Sequence, residues 1–275
     1  MSNPLCIYHG NCADGFAAAW VVRKYFGDGN VDFFPGVYQN PPPDVTDREV
    51  YLVDFSYKRD VILEMAKVAG SIHIIDHHKS AVEDLVDLPD NVICIFDMEK
   101  SGATLTWETF FGIDCPLPLQ YIADRDLWKF ALPCSREFNA AIFSYSYDFR
   151  VWDQLMKEEG IDHLIAEGTA IERKHHKDVR ELLKVTHRLM TIAGYTVPVA
   201  NLPYTLTSDA GNLMAKGQPF AACYWDTPEG RVFSLRSNDD GMDVSEIAKL
   251  FGGGGHRNAA GFRVSFEEAR KFEIA

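Results

Sequence analysis

The sequence predicts an α/β protein made of two halves joined by a long helix. Three observations predict it. Short β-branched apolar runs alternate with helical stretches through the first 160 residues. A proline-free stretch, 161–190, carries apolar residues at helical spacing. After Gly194 the strand and helix signals resume in a shorter series. With 275 residues, 47% of them hydrophobic, the chain can bury two modest cores.

Residues 5–8 read as the first strand, followed by the polar turn His9-Gly10-Asn11-Cys12-Ala13-Asp14-Gly15. A helix then runs over 16–26 and stops at Gly27, with Asp14 a candidate N-cap. Residues 31–34 form a second strand, and Pro41-Pro42-Pro43 marks a loop. Residues 49–53 form a strand ending at Asp54, and a helix follows over 58–69. The strand 72–75 ends abruptly at Asp76-His77-His78. A further strand over 91–96 ends at Asp97. Helices follow over 101–111, from Leu117 through Asp124 and Asp126, over 135–143 and over 148–157. The 161–190 segment reads as one charged amphipathic helix with a break near Gly168. Its His175, His176 and His187 read as solvated and receive no metal role. Beyond it, strands at 195–200, 220–225 and 231–236 surround a helix at 208–216. A helix at 244–251 leads into the glycine run 252–255 and His256, and a last strand and short helix close the chain. The domain boundaries expected are 1–160, 161–191 and 192–275.

The formal net charge of −13 argues against a grip on long nucleic acid, which rewards a basic surface. It leaves room for a small phosphorylated ligand in a local pocket. Six scattered cysteines form no Cys-x-x-Cys pair and fit a reduced, cytoplasmic compartment. The N-terminus lacks the pattern of a signal peptide, and no apolar stretch is long enough to span a bilayer, so no membrane partner is expected.

In an open α/β sheet the ligand crevice lies beyond the carboxyl ends of the strands. Here His9, Asp54, Asp76 and His77 stand at successive strand ends, with Asp14 just inside the first helix. Carboxylate with imidazole suits Mn²⁺, and is compatible with Fe²⁺, Co²⁺ or Zn²⁺. A bridging carboxylate could hold two ions, as in two-metal hydrolases. In the second half, the glycine run lets backbone N–H groups approach an anion, His256 adds a donor, and Arg236 could contact phosphate through two nitrogens.

These motifs resemble the DHH phosphoesterase superfamily. The resemblance rests on His9…Asp14-Gly15, Asp54 and Asp76-His77-His78, and on Gly252-Gly253-Gly254-Gly255-His256…Ala259-Ala260-Gly261 of its associated C-terminal domain. It spans nearly the whole chain. It implies a parallel-sheet catalytic domain flanked by helices, a long helical linker, and a smaller α/β domain that holds the nucleotide across a cleft. It implies Mn²⁺, as one or two ions, and hydrolysis of short oligoribonucleotides or linear dinucleotides such as pGpG to mononucleotides. Pyrophosphate or a 3′-phosphonucleotide is the alternative substrate, and a catalytically silent nucleotide sensor the non-enzymatic alternative. Long nucleic acid is not an expected partner, and a homodimer is left open. His9, Asp14, Asp54 and His77 match metal ligands, with Asp54 bridging. Asp76 would orient a ligand, and His78 would contact the scissile phosphate. Asp124 fits the remaining acidic position best, with Asp126 its competitor. Arg236, Gly254, Gly255 and His256 match phosphate-binding positions. The family pattern Asp-x-Asp is here Cys12-Ala13-Asp14. Cys12 could ligate as a thiolate, Asn11 could act through a water, or the first metal site could be weaker.

Overall fold

The computed structural model describes residues 3–112 and 114–272. It falls into two compact units, Met1–Glu172 and Arg173–Ala275. The first unit contains β1 (Leu5–His9), α1 (Ala13–Phe26), β2 (Asp32–Gly36), β3 (Glu49–Val53), α2 (Arg59–Ala66), β4 (Ser71–Asp76) and α3 (Lys79–Asp84). It continues through β5 (Val92–Phe96), α4 (Gly102–Phe111), α5 (Leu117–Asp126), α6 (Ser135–Ile142) and α7 (Phe149–Leu155). Its five strands are all parallel, in the order β2-β1-β3-β4-β5. A fully parallel sheet needs cover on both faces. Cys6, Tyr51, Val53 and Ile75 enter one core with residues of α1, α4 and α5. The alternate residues Leu5, Ile7, Val50, Leu52, Ile72 and Ile74 enter the other, with Ile62 and Met65 of α2. This is the period of two that a strand imposes. From β1 the chain crosses to β2 on one side, and β3 then lies on the other side of β1. The sheet order therefore reverses between β1 and β3, the switch point at which such sheets open a crevice.

α8 (Ile161–Thr186) is one continuous helix passing from the first unit into the second. The expected break at Gly168 is absent. A Cβ at Gly168 would lie 1.7 Å from the carbonyl oxygen of Glu137 in α6, so the glycine serves close helix contact and not a hinge. The helix also ends earlier than its apolar periodicity predicts. Residues 187–190 belong instead to β6 (His187–Ile192), which pairs antiparallel with β7 (Tyr195–Asn201).

The second unit continues with α9 (Thr207–Met214), β8 (Ala221–Thr227), β9 (Gly230–Arg236), α10 (Val244–Lys249), β10 (Gly254–His256), β11 (Ala259–Val264) and α11 (Phe266–Arg270). Its six-stranded sheet runs β10-β11-β9-β8-β7-β6, with only β7 and β8 parallel. Phe220, Phe233, Phe262 and Phe272 fill one core with Val244, Ile247 and Ala248 of α10. Val179 of α8 and Ala210 of α9 meet Ala200 and Cys223 in another. Among the described residues, no helix is long and apolar enough to cross a membrane.

Gly168→Ala should destabilise the protein by about 1–3 kcal/mol through overpacking, although alanine is favoured in a helix by about 1 kcal/mol. Gly160, with no atom within 4 Å of an added Cβ, is the control. Its alanine variant should stay within about 0.5 kcal/mol of the parent in urea unfolding.

Candidate metal centre

The centre lies where the carboxyl ends of β1, β3 and β4 stand side by side. β1 ends at His9, and a tight turn follows in which Gly10 N–H donates to Gly36 O at 2.8 Å. Asn11 takes a left-handed φ of 57°, and Cys12 becomes the N-cap of α1. Asp14 is thus not the N-cap foreseen. Its carboxylate instead accepts from Gly102 N–H at 2.5 Å and Ala103 N–H at 3.2 Å, and so caps α4 from outside. The positive end of that helix favours the anion. Ser101 and Thr104 close a reciprocal capping box at the same terminus.

Asp54 follows β3 with φ 55°, a left-handed conformation unusual for a non-glycine residue. Its N–H donates to Ile75 O at 2.9 Å, which ties the turn to β4. Gly102 must be glycine here, because a Cβ would lie 2.3 Å from that of Asp54. Gly15 likewise lets α1 start against His9, whose carbonyl oxygen would be 2.4 Å from an added Cβ.

The two oxygens of Asp54 serve two neighbours. Oδ1 contacts His77 Nε2 at 3.0 Å, and Oδ2 lies 3.4 Å from His9 Nδ1. Around them stand two groups of potential ligand atoms, each within 4.8 Å of one another: His9, Cys12 and Asp54, and Asp14, His77 and Asp126. His77 Nε2 lies 3.9 Å from Asp14 Oδ2 and 3.5 Å from Asp126 Oδ2. Asp54 Oδ2 and Asp126 Oδ2 are buried and accept no hydrogen bond. Buried carboxylate oxygens are ordinarily satisfied, so orphans aimed into a cluster of acids and imidazoles suit a divalent cation.

The charges agree. Burial pushes the Asp14 and Asp126 carboxyls above the usual range, reinforced by Asp54 and, for Asp14, by Asp126. Burial acts in the same sense on Asp54, but the bond from His77 and the nearby His9 hold it well below that range. Burial lowers the His77 imidazole, yet the bond to Asp54 and the charges of Asp126, Asp54 and Asp14 raise it to about 10. Protons and cations are alternative neutralisers of one cluster.

Asp76 Oδ1 accepts from the backbone N–H of His77 at 2.8 Å and contacts Nδ1 of His78 at 2.7 Å. It therefore orients the ring of His78 and holds His77 through its backbone N–H. With Nδ1 committed to Asp76, any action of His78 on a substrate falls to Nε2. Asp124 is the clearest departure from the sequence reading. Its two oxygens accept N–H groups of Ala131 at 2.8 Å and Leu132 at 3.1 Å, closing the loop after α5. Asp126, its competitor, is the acid that reaches His77. Sequence reading also passed over Tyr38, whose ring sits 5.3 Å from that of His9 and 6.1 Å from that of His78. Its signal was its position just beyond β2, the strand beside β1.

In the second unit, Arg236 ends β9. Its Nη1 donates to Ser234 Oγ and Leu235 O, and its Nη2 to Ser208 Oγ at 2.8 Å. Arg236 and His256 are both cross-strand partners of Ala259, so the two share one face of the sheet. Gly254 and Gly255 form strand β10, not the open loop expected. An added Cβ on Gly255 would lie 2.5 Å from Ala259 O, and on Gly253 2.0 Å from Gly261 O. Gly253 and Gly255 are glycine because β11 leaves no room for their side chains, and Gly252 takes a left-handed φ of 76°. His175, expected to be solvated, contacts Asp209 Oδ2 at 2.9 Å.

No family model matches the chain. It is similar to an uncharacterised protein of Acanthamoeba polyphaga mimivirus, 32% identical over 284 residues, spanning 94% of this chain and 67% of that protein. Among solved structures, a DHH domain described as a member of a family of ribosomal proteins has a TM-score of 0.61 at 13% identity, over 98% of this chain and 84% of that one. RecJ from Thermus thermophilus, solved with Mn²⁺, has a TM-score of 0.50 at 12% identity, over 97% of this chain and 50% of its own. At such identities the likeness to solved structures is one of fold.

Cation binding here must expel protons, beginning with that of His77. Below a pKa of about 10 the proton competes, so Mn²⁺ affinity should rise with pH through the neutral range. The expected slope is about one log unit per pH unit for each proton displaced. Calorimetry in buffers of different ionisation enthalpy would count the protons released, and a pH-independent affinity would contradict the assignment.

Proposed function

We propose that this chain, whose fold is that of the DHH domain and RecJ structures, is a DHH-type, metal-dependent phosphodiesterase cleaving short oligoribonucleotides or linear dinucleotides to mononucleotides. The observation that carries this reading is the split carboxylate of Asp54, with one oxygen toward His9 and Cys12 and the other toward His77. A carboxylate so placed suits two ions sharing one ligand. On this reading His9, Asp14, Asp54, His77 and Asp126 hold the ions, with Mn²⁺ the expected metal. Bound there, the ions would supply Lewis-acid polarisation of a phosphate and an activated water.

The chain's own residues do the rest. Asp76 accepts from Nδ1–H of His78 and so leaves Nε2 as the atom that would act on the phosphate; it donates to the departing oxygen only when the ring carries its second proton. Asp54 keeps its charge despite burial and is the fixed anion around which the cations assemble. α4 delivers two N–H groups to Asp14 and so holds that acid without help from the substrate. In the second unit, Arg236 is held by Ser208 and Ser234 and shares a sheet face with His256, an arrangement suited to a nucleotide's phosphate. The net charge of −13 supports short substrates over long ones, because a polymer's affinity is built from many phosphate contacts.

Purified protein with Mn²⁺ should convert pGpG to mononucleotides, and His77→Ala should reduce turnover at least about a thousandfold while leaving the circular dichroism spectrum unchanged. Undiminished turnover in that variant would refute the assignment. Pyrophosphate assayed in parallel tests the alternative substrate class.

The neighbouring acids give a sharper contrast. Asp126→Asn should weaken Mn²⁺ binding by about tenfold or more. Asp124→Asn should leave Mn²⁺ affinity in place and lower stability by about 1–3 kcal/mol, since an amide nitrogen would then face a backbone N–H. Metal titration and urea unfolding of the two variants separate these roles.

A further inference from the structure

We propose that Cys12 makes the two pockets of this centre chemically unequal: the His9–Cys12–Asp54 pocket selects a thiophilic ion such as Zn²⁺, Fe²⁺ or Co²⁺, and the Asp14–Asp126–His77 pocket an oxygen-seeking ion such as Mn²⁺. The inference rests on the metal-centre reading given above. The first pocket offers one nitrogen, one sulfur and one carboxylate oxygen, all within 4.8 Å of one another. The second offers two carboxylates and one imidazole. Thiolate discriminates strongly in favour of softer ions, whereas carboxylate-rich sets suit Mn²⁺ and Mg²⁺.

Two further observations support this role for the sulfur. Cys12 occupies the N-cap of α1, a position where Ser, Asp or Asn would add a side-chain bond, yet its own side chain makes no capping bond. That choice forgoes about 0.5–2 kcal/mol of capping, so the residue type answers to something other than the helix. Asp54 Oδ2, on a residue only 1% exposed, is aimed into the same pocket and accepts no hydrogen bond. Binding replaces the thiol proton by the ion and releases that proton to solvent, and no oxidant or reductant takes part.

Cobalt tests this directly, because a thiolate bound to Co²⁺ produces a sulfur-to-metal charge-transfer band in the near ultraviolet. The full-length protein titrated with Co²⁺ should develop the band, and Cys12→Asp should bind Co²⁺ without it. Cys12→Asp should also lower the preference for Zn²⁺ over Mn²⁺, measured by metal content after competitive loading, by about tenfold or more. Cys12→Ser serves the same comparison should the aspartate variant fold poorly. Cobalt bound to the wild type without the band overturns the inference and leaves the metal centre standing. A wild type that binds no cobalt overturns both.

Discussion

Four carboxylates and three imidazoles converge around three adjacent strand ends, and the arrangement turns on Asp54. Its charge is buried among other acids, where an uncompensated anion would cost several kcal/mol. Compensation comes from both sides, with His77 at 3.0 Å on one oxygen and His9 at 3.4 Å on the other. The backbone is bent to serve this. Asp54 accepts a left-handed conformation, and Gly102 forgoes a side chain so that α4 can reach the same point. A strained acid and an obligatory glycine, far apart in sequence, answer to one electrostatic requirement. Strain of this kind persists only where the surrounding structure over-determines it.

The parallel sheet makes such convergence inexpensive. Every strand points the same way, so every strand ends on the same edge. The reversal of order between β1 and β3 opens that edge where His9 and Asp54 stand. The second unit works differently. Its mixed sheet gives no common edge, and its polar residues are gathered by cross-strand register: His256, Ala259 and Arg236 lie in one row. Small side chains at Ala259 and in the glycine run keep that row low, while Gly211 leaves room for the stem of Arg236.

Much of this was legible in the sequence. Apolar runs ending in Asp or His located β1, β3 and β4 and most of the centre, because a strand's period and its abrupt polar end are both local signals. What stayed hidden depends on register or on distant chain. Asp124 and Asp126 are two residues apart on α5, which separates them by about 200° around the helix axis. Only the packing of α5 decides which of the two turns inward. Asp14 has the chemistry of an N-cap, and it does cap a helix, but one that begins 88 residues later. The strand β6 continues the apolar periodicity of α8 without a break and becomes a strand only through pairing with β7. Gly168 has the local look of a hinge and the tertiary function of a contact.

The same electrostatics bear on the order in which such a centre can work. Asp54 and Asp76 hold their charge in one region, beside the acids Asp14 and Asp126, of a protein whose overall charge is −13. A phosphate approaching it meets repulsion at short range, where the low effective dielectric makes each charge pair worth several times its value in water. Protonated histidines offset part of that charge, but a proton held between His77 and Asp54 is bonded inward and offers nothing to an incoming anion. Cations differ, since an ion seated between carboxylates keeps part of its charge and its coordination sphere for a further ligand. On the proposed function, an anionic substrate therefore follows the cations and does not precede them, and the acidity that would exclude a phosphate from the bare cluster is what assembles its binding site.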